Sequence, residues 1–403
     1  MDSITRRRFL TASGVVAAGA LAAGGTAYGL GDILGFRDDA AAGRILVLVT
    51  LYGGNDGLNT VIPYADPAYA ANRPSMAYGP DQVLPLAEGF GLNPGLAGLH
   101  RLWGDDRLAI VRGVGYPRPD RSHFRSMDIW QTANPERPEN TGWLGRWLDR
   151  AGGDPRLAVS FEPVLPPLLA GATSAGATVP GGALKLPRGV DDKVLAGFGA
   201  PAAGESAGRA RAAACYADLI RVQDLVDEAV PDEEDEDGSE QPATATGGQA
   251  PPLDRQLALV TRCIEAGAAT RVYSVSLGGF DFHADEKSAQ EAILASLDKP
   301  LAAFAERMAG RKVVVAVYSE FGRRVRANAS DGTDHGTASS VLLMGDGIPG
   351  GLYGEPPGLT DLDDGDLRHT VDFRDVYAML LADVLDADAH SILGGWEGRL
   401  TFS

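Results

Sequence analysis

Arg44-Ile45-Leu46-Val47-Leu48-Val49-Thr50, closed shortly afterwards by Gly53-Gly54-Asn55-Asp56-Gly57, is the stretch that decides the fold class. An unbroken apolar run bounded by a glycine turn reads as a strand buried on both faces. The same pattern recurs at 108–114, 271–277, 312–318 and 340–344. Between these runs the apolar residues fall at helical spacing, roughly over 122–134, 142–152, 206–229, 253–267, 285–310 and 372–386. Strands alternating with helices predict an α/β fold: a doubly wound, mainly parallel sheet with helices on both faces. In such folds chemistry gathers on the loops that leave the carboxyl ends of the strands.

Outward from this core, the two flanks have different characters. Thr5-Arg6-Arg7-Arg8-Phe9-Leu10 is a positively charged start, followed by a weakly apolar stretch to Leu30 that is rich in Ala, Gly and Val. That layout is a twin-arginine export signal. Gly14, Gly19, Gly24, Gly25 and Gly29 dilute it too far for a strong spanning helix, although retention as an anchor stays open. The expected organisation is a signal peptide and linker over 1–42, then one α/β domain over 43–403. The expected location is the periplasm, cell envelope or exterior. The export machinery is the expected partner, and membrane contact is expected only through the signal segment.

The mature chain has no basic face to offer nucleic acid, since the formal net charge is -18. Residues 230–252 carry seven acidic side chains and no large apolar one after Val230, so they read as a disordered surface loop. Cys215 and Cys263 flank it; they can pair in an oxidising compartment or sit apart as core residues.

Polar groups follow the strands in series. Asp56 lies in the turn after the first run, where Asn-Asp-Gly is also a common turn sequence. Ser122, in Arg121-Ser122-His123-Phe124, opens a helix, as a cap or as a hydroxyl placed where helix amides favour anions. In Gly279-Phe280-Asp281-Phe282-His283 the alternation of an extended chain puts Asp281 and His283 on one side, able to share a cation. Glu320 and Arg323 follow the run at 312–318, and Asp334-His335-Gly336 precedes the one at 340–344. Each has an ordinary reading, as a surface ion pair or a structural histidine. The recurrence is the informative part: of six histidines, His123, His283 and His335 lie in these groups, while His100, His369 and His390 do not.

Taken in order, the twin-arginine start, Gly-Gly-Asn-Asp-Gly, Arg-Ser-His-Phe, Gly-Phe-Asp-x-His, Ser-Glu-Phe-Gly-Arg and Asp-His-Gly resemble the exported family catalogued as domain of unknown function 1501. That family is in turn similar to the alkaline phosphatase, sulfatase and phosphoglycerate mutase superfamily. The resemblance implies an alkaline phosphatase-like sheet, metal ligands on loops after the strands, and a hydroxyl nucleophile heading a helix. Position by position, it implies Asp56, Asp281, His283, Glu320 and His335 as metal ligands and Ser122 as nucleophile. Arg125 and Arg323, with Arg121, are the candidates to stabilise a transferring anion. Two departures stand out. Only Phe282 separates Asp281 from His283, and Glu320-Phe321 replaces the usual Asp-His pair. One metal, or none, is compatible with that set.

The expected activity is therefore metal-dependent hydrolysis of phosphate or sulfate esters, with a small anionic ester as substrate. The cofactor is a divalent ion among Zn, Mn, Mg and Ca. The alternative is an exported binding or assembly protein that keeps the fold without turnover. A serine hydrolase is disfavoured because no Gly-x-Ser-x-Gly elbow surrounds a candidate serine.

Overall fold

Nine strands form one sheet in the computed structural model, which describes residues 30–38, 43–162, 164–179 and 251–402. In chain order the elements that build the site are β1 (Ile45–Tyr52), α1 (Gly57–Thr60), α2 (Pro67–Asn72), α3 (Ala97–Gly104), β2 (Leu108–Gly115), α4 (His123–Thr132), α5 (Trp143–Arg150), β3 (Ala158–Ser160) and β4 (Ala177–Thr178). They continue as α6 (Leu253–Glu265), β5 (Val272–Gly278), α7 (Glu286–Arg307), β6 (Val313–Ser319), β7 (Ser339–Gly345), β8 (Gly351–Tyr353), β9 (Leu362–Asp363), β10 (Asp366–Leu367), β11 (Val371–Asp372) and α8 (Phe373–Met379).

The sheet order is β8-β2-β7-β6-β1-β5-β3-β4, with β11 also pairing β2. All five apolar runs are strands of this sheet, and β1 lies inside it between β5 and β6, parallel to both. The α/β, mostly parallel architecture expected from the sequence is present. One strand departs from the common direction: β7 is antiparallel to β2 and β6. That reversal matters, because it puts the start of β7 beside the carboxyl ends of its neighbours.

The non-alternating composition of β1 follows from its double burial. Val47, Val49 and Leu51 face one core with Leu99 of α3, Val260 of α6 and Leu301 of α7. Leu46 and Leu48 face the other, with Trp130 of α4, Trp143 of α5 and Tyr377 of α8. On this second face the sheet turns polar toward its carboxyl edge. There Glu162 is fully buried; its Oε2 accepts from the Tyr52 hydroxyl at 3.1 Å and its Oε1 from Ser274 Oγ at 3.3 Å. Burial pushes the Glu162 carboxyl up to about 7, against the pull of those hydroxyls.

Among the described residues, the folded body includes some that precede residue 43. Leu30 and Ile33 of a short helix are 0% exposed in the core, and Ala269 N donates to Phe36 O at 3.0 Å. The folded body thus takes in residues that the sequence reading assigned to the leader and linker, because their apolar side chains are packed with α6 and the sheet. Cys263 is buried on α6 and its thiol is pushed up to about 12 by burial. Cys215, the helical pattern at 206–229, residues 230–250 of the acidic stretch and the twin-arginine sequence itself lie outside the described residues. Among the described residues, no helix is long and apolar enough to cross a membrane.

Candidate metal centre

Five segments meet at the carboxyl edge of the sheet: the turns after β1, β5 and β6, the start of α4, and the approach to β7. Their closeness depends on glycine. A Cβ on Gly53 would sit 2.7 Å from Asp281 N, and one on Gly54 would sit 2.2 Å from the Phe321 ring. Both residues also have positive φ, 115° and 70°, where side chains are strained. The first turn therefore lies flat against the Asp281 loop and the Phe321 ring.

Three imidazoles and one carboxylate converge above that floor. His335 Nε2 is 3.1 Å from His123 Nε2, 3.1 Å from His283 Nε2 and 3.1 Å from Asp281 Oδ1. His283 Nε2 is 2.9 Å from Asp281 Oδ1, and His123 Nε2 is 3.4 Å from Asp281 Oδ2. The Nδ1 atoms face outward to oxygen. His123 Nδ1 meets Glu320 Oε1 at 2.8 Å, His335 Nδ1 meets the Arg121 carbonyl at 2.8 Å, and His283 Nδ1 has Asp334 Oδ1 at 3.6 Å. A carbonyl can only accept, so Nδ1 of His335 carries a proton toward Arg121 and its Nε2 faces inward. Phe321 lies against two of the rings, with centroids 4.8 Å from His123 and 5.1 Å from His335.

Neutral Nε2 lone pairs facing each other at this distance repel, so the arrangement calls for a proton or a cation among them. Burial alone would lower the basicity of His123, but its hydrogen bonds to the carboxylates of Asp281 and Glu320 raise it to about 9. Asp281 is affected in the opposite sense. Burial works to raise its carboxyl, yet hydrogen bonds from His123, His335 and Arg323 hold it far below the usual carboxylate range. His123, Asp281 and His335, whose ligand atoms all lie within 4.8 Å of one another, fit a single small cation, with His283 beside two of them. Ligands about 2.0–2.1 Å from zinc in a tetrahedron lie roughly 3.3 Å apart, close to the separations here. Three imidazoles favour zinc or another borderline ion over magnesium or calcium.

The metal-ligand candidates from the sequence fall into three groups. Asp281, His283 and His335 are brought together, and His123 joins them. Reading Arg-Ser-His-Phe for its serine passed over His123 as a ligand, although the recurrence of histidine after strands already included it. Glu320 stands one layer out: its Oε1 accepts from Gly53 N at 2.9 Å and from His123, and its Oε2 from Ser319 Oγ at 3.0 Å. It orients a ligand and does not face the centre.

Asp56 departs furthest from expectation. It is 0% exposed, caps α1 through Leu58 N, and is gripped on both oxygens by the Arg73 guanidinium, with Arg73 Nη2 at 3.0 Å from Oδ1. Its positive partner is therefore Arg73, the residue that caps the carboxyl end of α2. No spacing signal points to this pair, since Arg73 lies in an ordinary helix–turn segment. Glu286 is buried close by and accepts from Thr333 Oγ1 at 2.6 Å; burial first, and the Asp56 charge second, raise its carboxyl.

Ser122 is exposed at the N-cap of α4, and its side chain makes no capping bond. The arginines are occupied. Arg125 pairs with Asp128 one turn along its own helix. Arg121 is held by Asp364 and Asp366. Arg323, 1% exposed, donates to the carbonyls of Gly53, Gly54, Phe280 and Thr333 and to Asp281 Oδ1 at 2.8 Å.

Comparison with known proteins adds a family and two distant likenesses. A family model described as "Protein of unknown function (DUF1501)" matches residues 189–400, which include Asp281, His283, Glu320 and His335 but not Asp56 or His123. The C-terminal periplasmic domain of EcEptC from Escherichia coli, solved in complex with Zn, is 11% identical with a TM-score of 0.35, over 78% of this chain and 76% of that one. PH0037 protein from Pyrococcus horikoshii is 11% identical with a TM-score of 0.32, over 89% of this chain and 99% of that one. Likeness at that level assigns no activity to this chain. No curated protein matches it in sequence.

Proposed function

The chain belongs to the DUF1501 family, and we propose that it is an exported, metal-dependent hydrolase of phosphate or sulfate esters on an alkaline phosphatase-like α/β fold. One observation carries the reading: His123, Asp281 and His335 bring ligand atoms within 4.8 Å of one another, His283 Nε2 adjoins two of them, and the Nδ1 atoms are tied or turned to oxygen behind them. This is the pattern of a metal-binding histidine set with its outer hydrogen bonds in place. A divalent cation held by His123, Asp281 and His335, with His283 beside them, would supply Lewis acidity toward an ester oxygen and lower the pKa of a neighbouring hydroxyl or water.

The chain's own residues account for the rest. Arg323 and the imidazoles keep Asp281 ionised, so it presents two anionic oxygens to the centre. Glu320 fixes the His123 ring. Ser122, exposed and not used for capping, presents its hydroxyl next to His123 at the start of a ten-residue helix, where backbone amides favour an anion. It is the candidate nucleophile. The twin-arginine start supports export of a protein already folded around its cofactor.

A second reading has an observation of its own. Arg121, Arg125 and Arg323 are all engaged by carboxylates or carbonyls, which leaves the anion-stabilising part of the enzyme hypothesis without its expected residues. This favours a binding or assembly protein with a structural metal. Metal analysis of the purified protein, with a screen of aryl phosphates, phosphodiesters and aryl sulfates, separates the two. The enzyme reading requires stoichiometric metal and ester hydrolysis lost in both Ser122→Ala and His335→Ala. Bound metal with no turnover, together with a melting temperature lowered by His283→Ala, transfers the assignment to the binding protein. Absence of metal binding removes both.

A further inference from the structure

Beside the centre stands a small acidic hairpin, β9 and β10, that the proposed chemistry does not use. We propose that this hairpin is the brace that sets the His335 ligand, and that Asp366 is the positioning residue through which it acts; the inference rests on the metal reading of the preceding subsection. The chain of contacts is short. Arg121 Nε donates to Asp366 Oδ2 at 2.8 Å, Arg121 Nη2 also reaches Asp366, and the same nitrogen reaches Asp364 Oδ2 at 3.1 Å. The carbonyl of Arg121 is the acceptor for His335 Nδ1 at 2.8 Å. Two residues further along the chain from Arg121 is His123, the second ligand. Pinning one arginine side chain therefore places the hydrogen-bond acceptor of one ligand and the backbone leading to another.

The hairpin is itself fixed to the molecule on two sides. Leu359 and Leu367 are buried with Leu58, Ile62 and Val325. Thr337, two residues beyond His335, donates from Oγ1 to Leu367 O at 2.6 Å. The brace thus holds the Arg121 segment and the His335 segment against one another.

A purely stabilising role explains Asp366 poorly. It is 1% exposed, and its Oδ1 has no hydrogen-bond partner among the described residues; Arg324 Nε stands 3.7 Å away. Burying a carboxylate with one oxygen met only by a 3.7 Å ion pair and no hydrogen bond is costly, whereas an outer partner that orients a ligand accounts for retaining it.

The test measures zinc affinity by competition with a chromophoric chelator on purified full-length protein, and the visible spectrum of the cobalt(II) form. Asp366→Asn keeps the shape and removes the charge that holds Arg121. The expected result is zinc affinity weakened about 10- to 100-fold, an altered cobalt spectrum, and a metal-free melting temperature close to that of the parent. Arg121→Gln removes the same pair from a partly exposed side chain and must reproduce the loss, which keeps the test open if Asp366→Asn fails to fold. Folded variants that bind zinc within threefold of the parent, with an unchanged cobalt spectrum, overturn the brace and leave the metal centre standing. A parent protein that binds no zinc or cobalt overturns the metal reading and the brace with it.

Discussion

Glu162→Gln isolates the effect of one buried acid on stability. In the folded protein Glu162 is fully buried and its carboxyl is raised to about 7 from 4.5. Folding therefore favours its protonated form. The stability this contributes is fully present below about pH 4.5. It falls as the unfolded chain ionises while the folded chain does not, and the loss is complete once pH passes about 7. A difference of roughly 2.5 pH units at about 1.4 kcal/mol each makes the loss about 3 kcal/mol. Glutamine keeps the volume and cannot ionise, so the other titrating groups cancel between parent and variant. Any cost of the amide in meeting Tyr52 and Ser274 is a constant offset at all pH values. Denaturant melts in chelator at half-unit steps from pH 4 to 8.5 should show the variant gaining about 3 kcal/mol on the parent between the two ends. In thermal melts that is about 5 °C for the roughly 300 described residues. A parent-to-variant difference that does not change with pH would refute the assignment of a raised Glu162.

Three further substitutions test the polar architecture. Asp56→Ala leaves the buried Arg73 guanidinium without its carboxylate and should cost about 3–5 kcal/mol in denaturant melts, with the metal-free protein affected as much as the loaded one. Glu320→Gln keeps an acceptor for Gly53 N but weakens the hold on His123, and should reduce zinc affinity about 10-fold or more in chelator competition. Arg323→Lys is not conservative: three donors on one nitrogen replace a planar fork that meets five acceptors, leaving at least two unmet. At about 1–3 kcal/mol each, the metal-free protein should lose about 2–6 kcal/mol.

The strands were legible because β1 and β6 are buried on both faces, and double burial leaves an unbroken apolar run that no surface element shares. Asp281, His283 and His335 were legible because histidine beside a carboxylate after a strand is uncommon without a reason. The direction of β7 was not, since a strand's direction depends on its neighbours and leaves no trace in its own composition. His335 nevertheless reaches the centre from the amino end of its strand, because reversal brings that end to the shared edge. Asp56 was read through its turn, but its role is fixed by Arg73, seventeen positions on and without a distinctive pattern. Glu162 and Asp366 escaped for the same reason: a buried acid is defined by what surrounds it, and its surroundings are assembled from distant parts of the chain.

How the centre is held bears on what a metal would have to do on arrival. Arg323, from the turn after β6, donates to carbonyls in the turn after β1, at the end of β5 and on the approach to β7, as well as to Asp281. Its guanidinium thus joins three of the loops that carry or support ligands, and it does so through main-chain atoms. His335 is oriented by a backbone carbonyl too, and Gly53 and Gly54 let the first turn lie against the others without side chains between them. A site built this way does not depend on a cation to draw its loops together. Most of the ordering cost is met when the chain folds, so a metal would meet imidazoles already in place. That is the physical requirement for a protein that completes its centre before export, and equally for one that exchanges metal after it. It distinguishes this arrangement from small metal-dependent folds, in which ligands are scattered until the ion collects them.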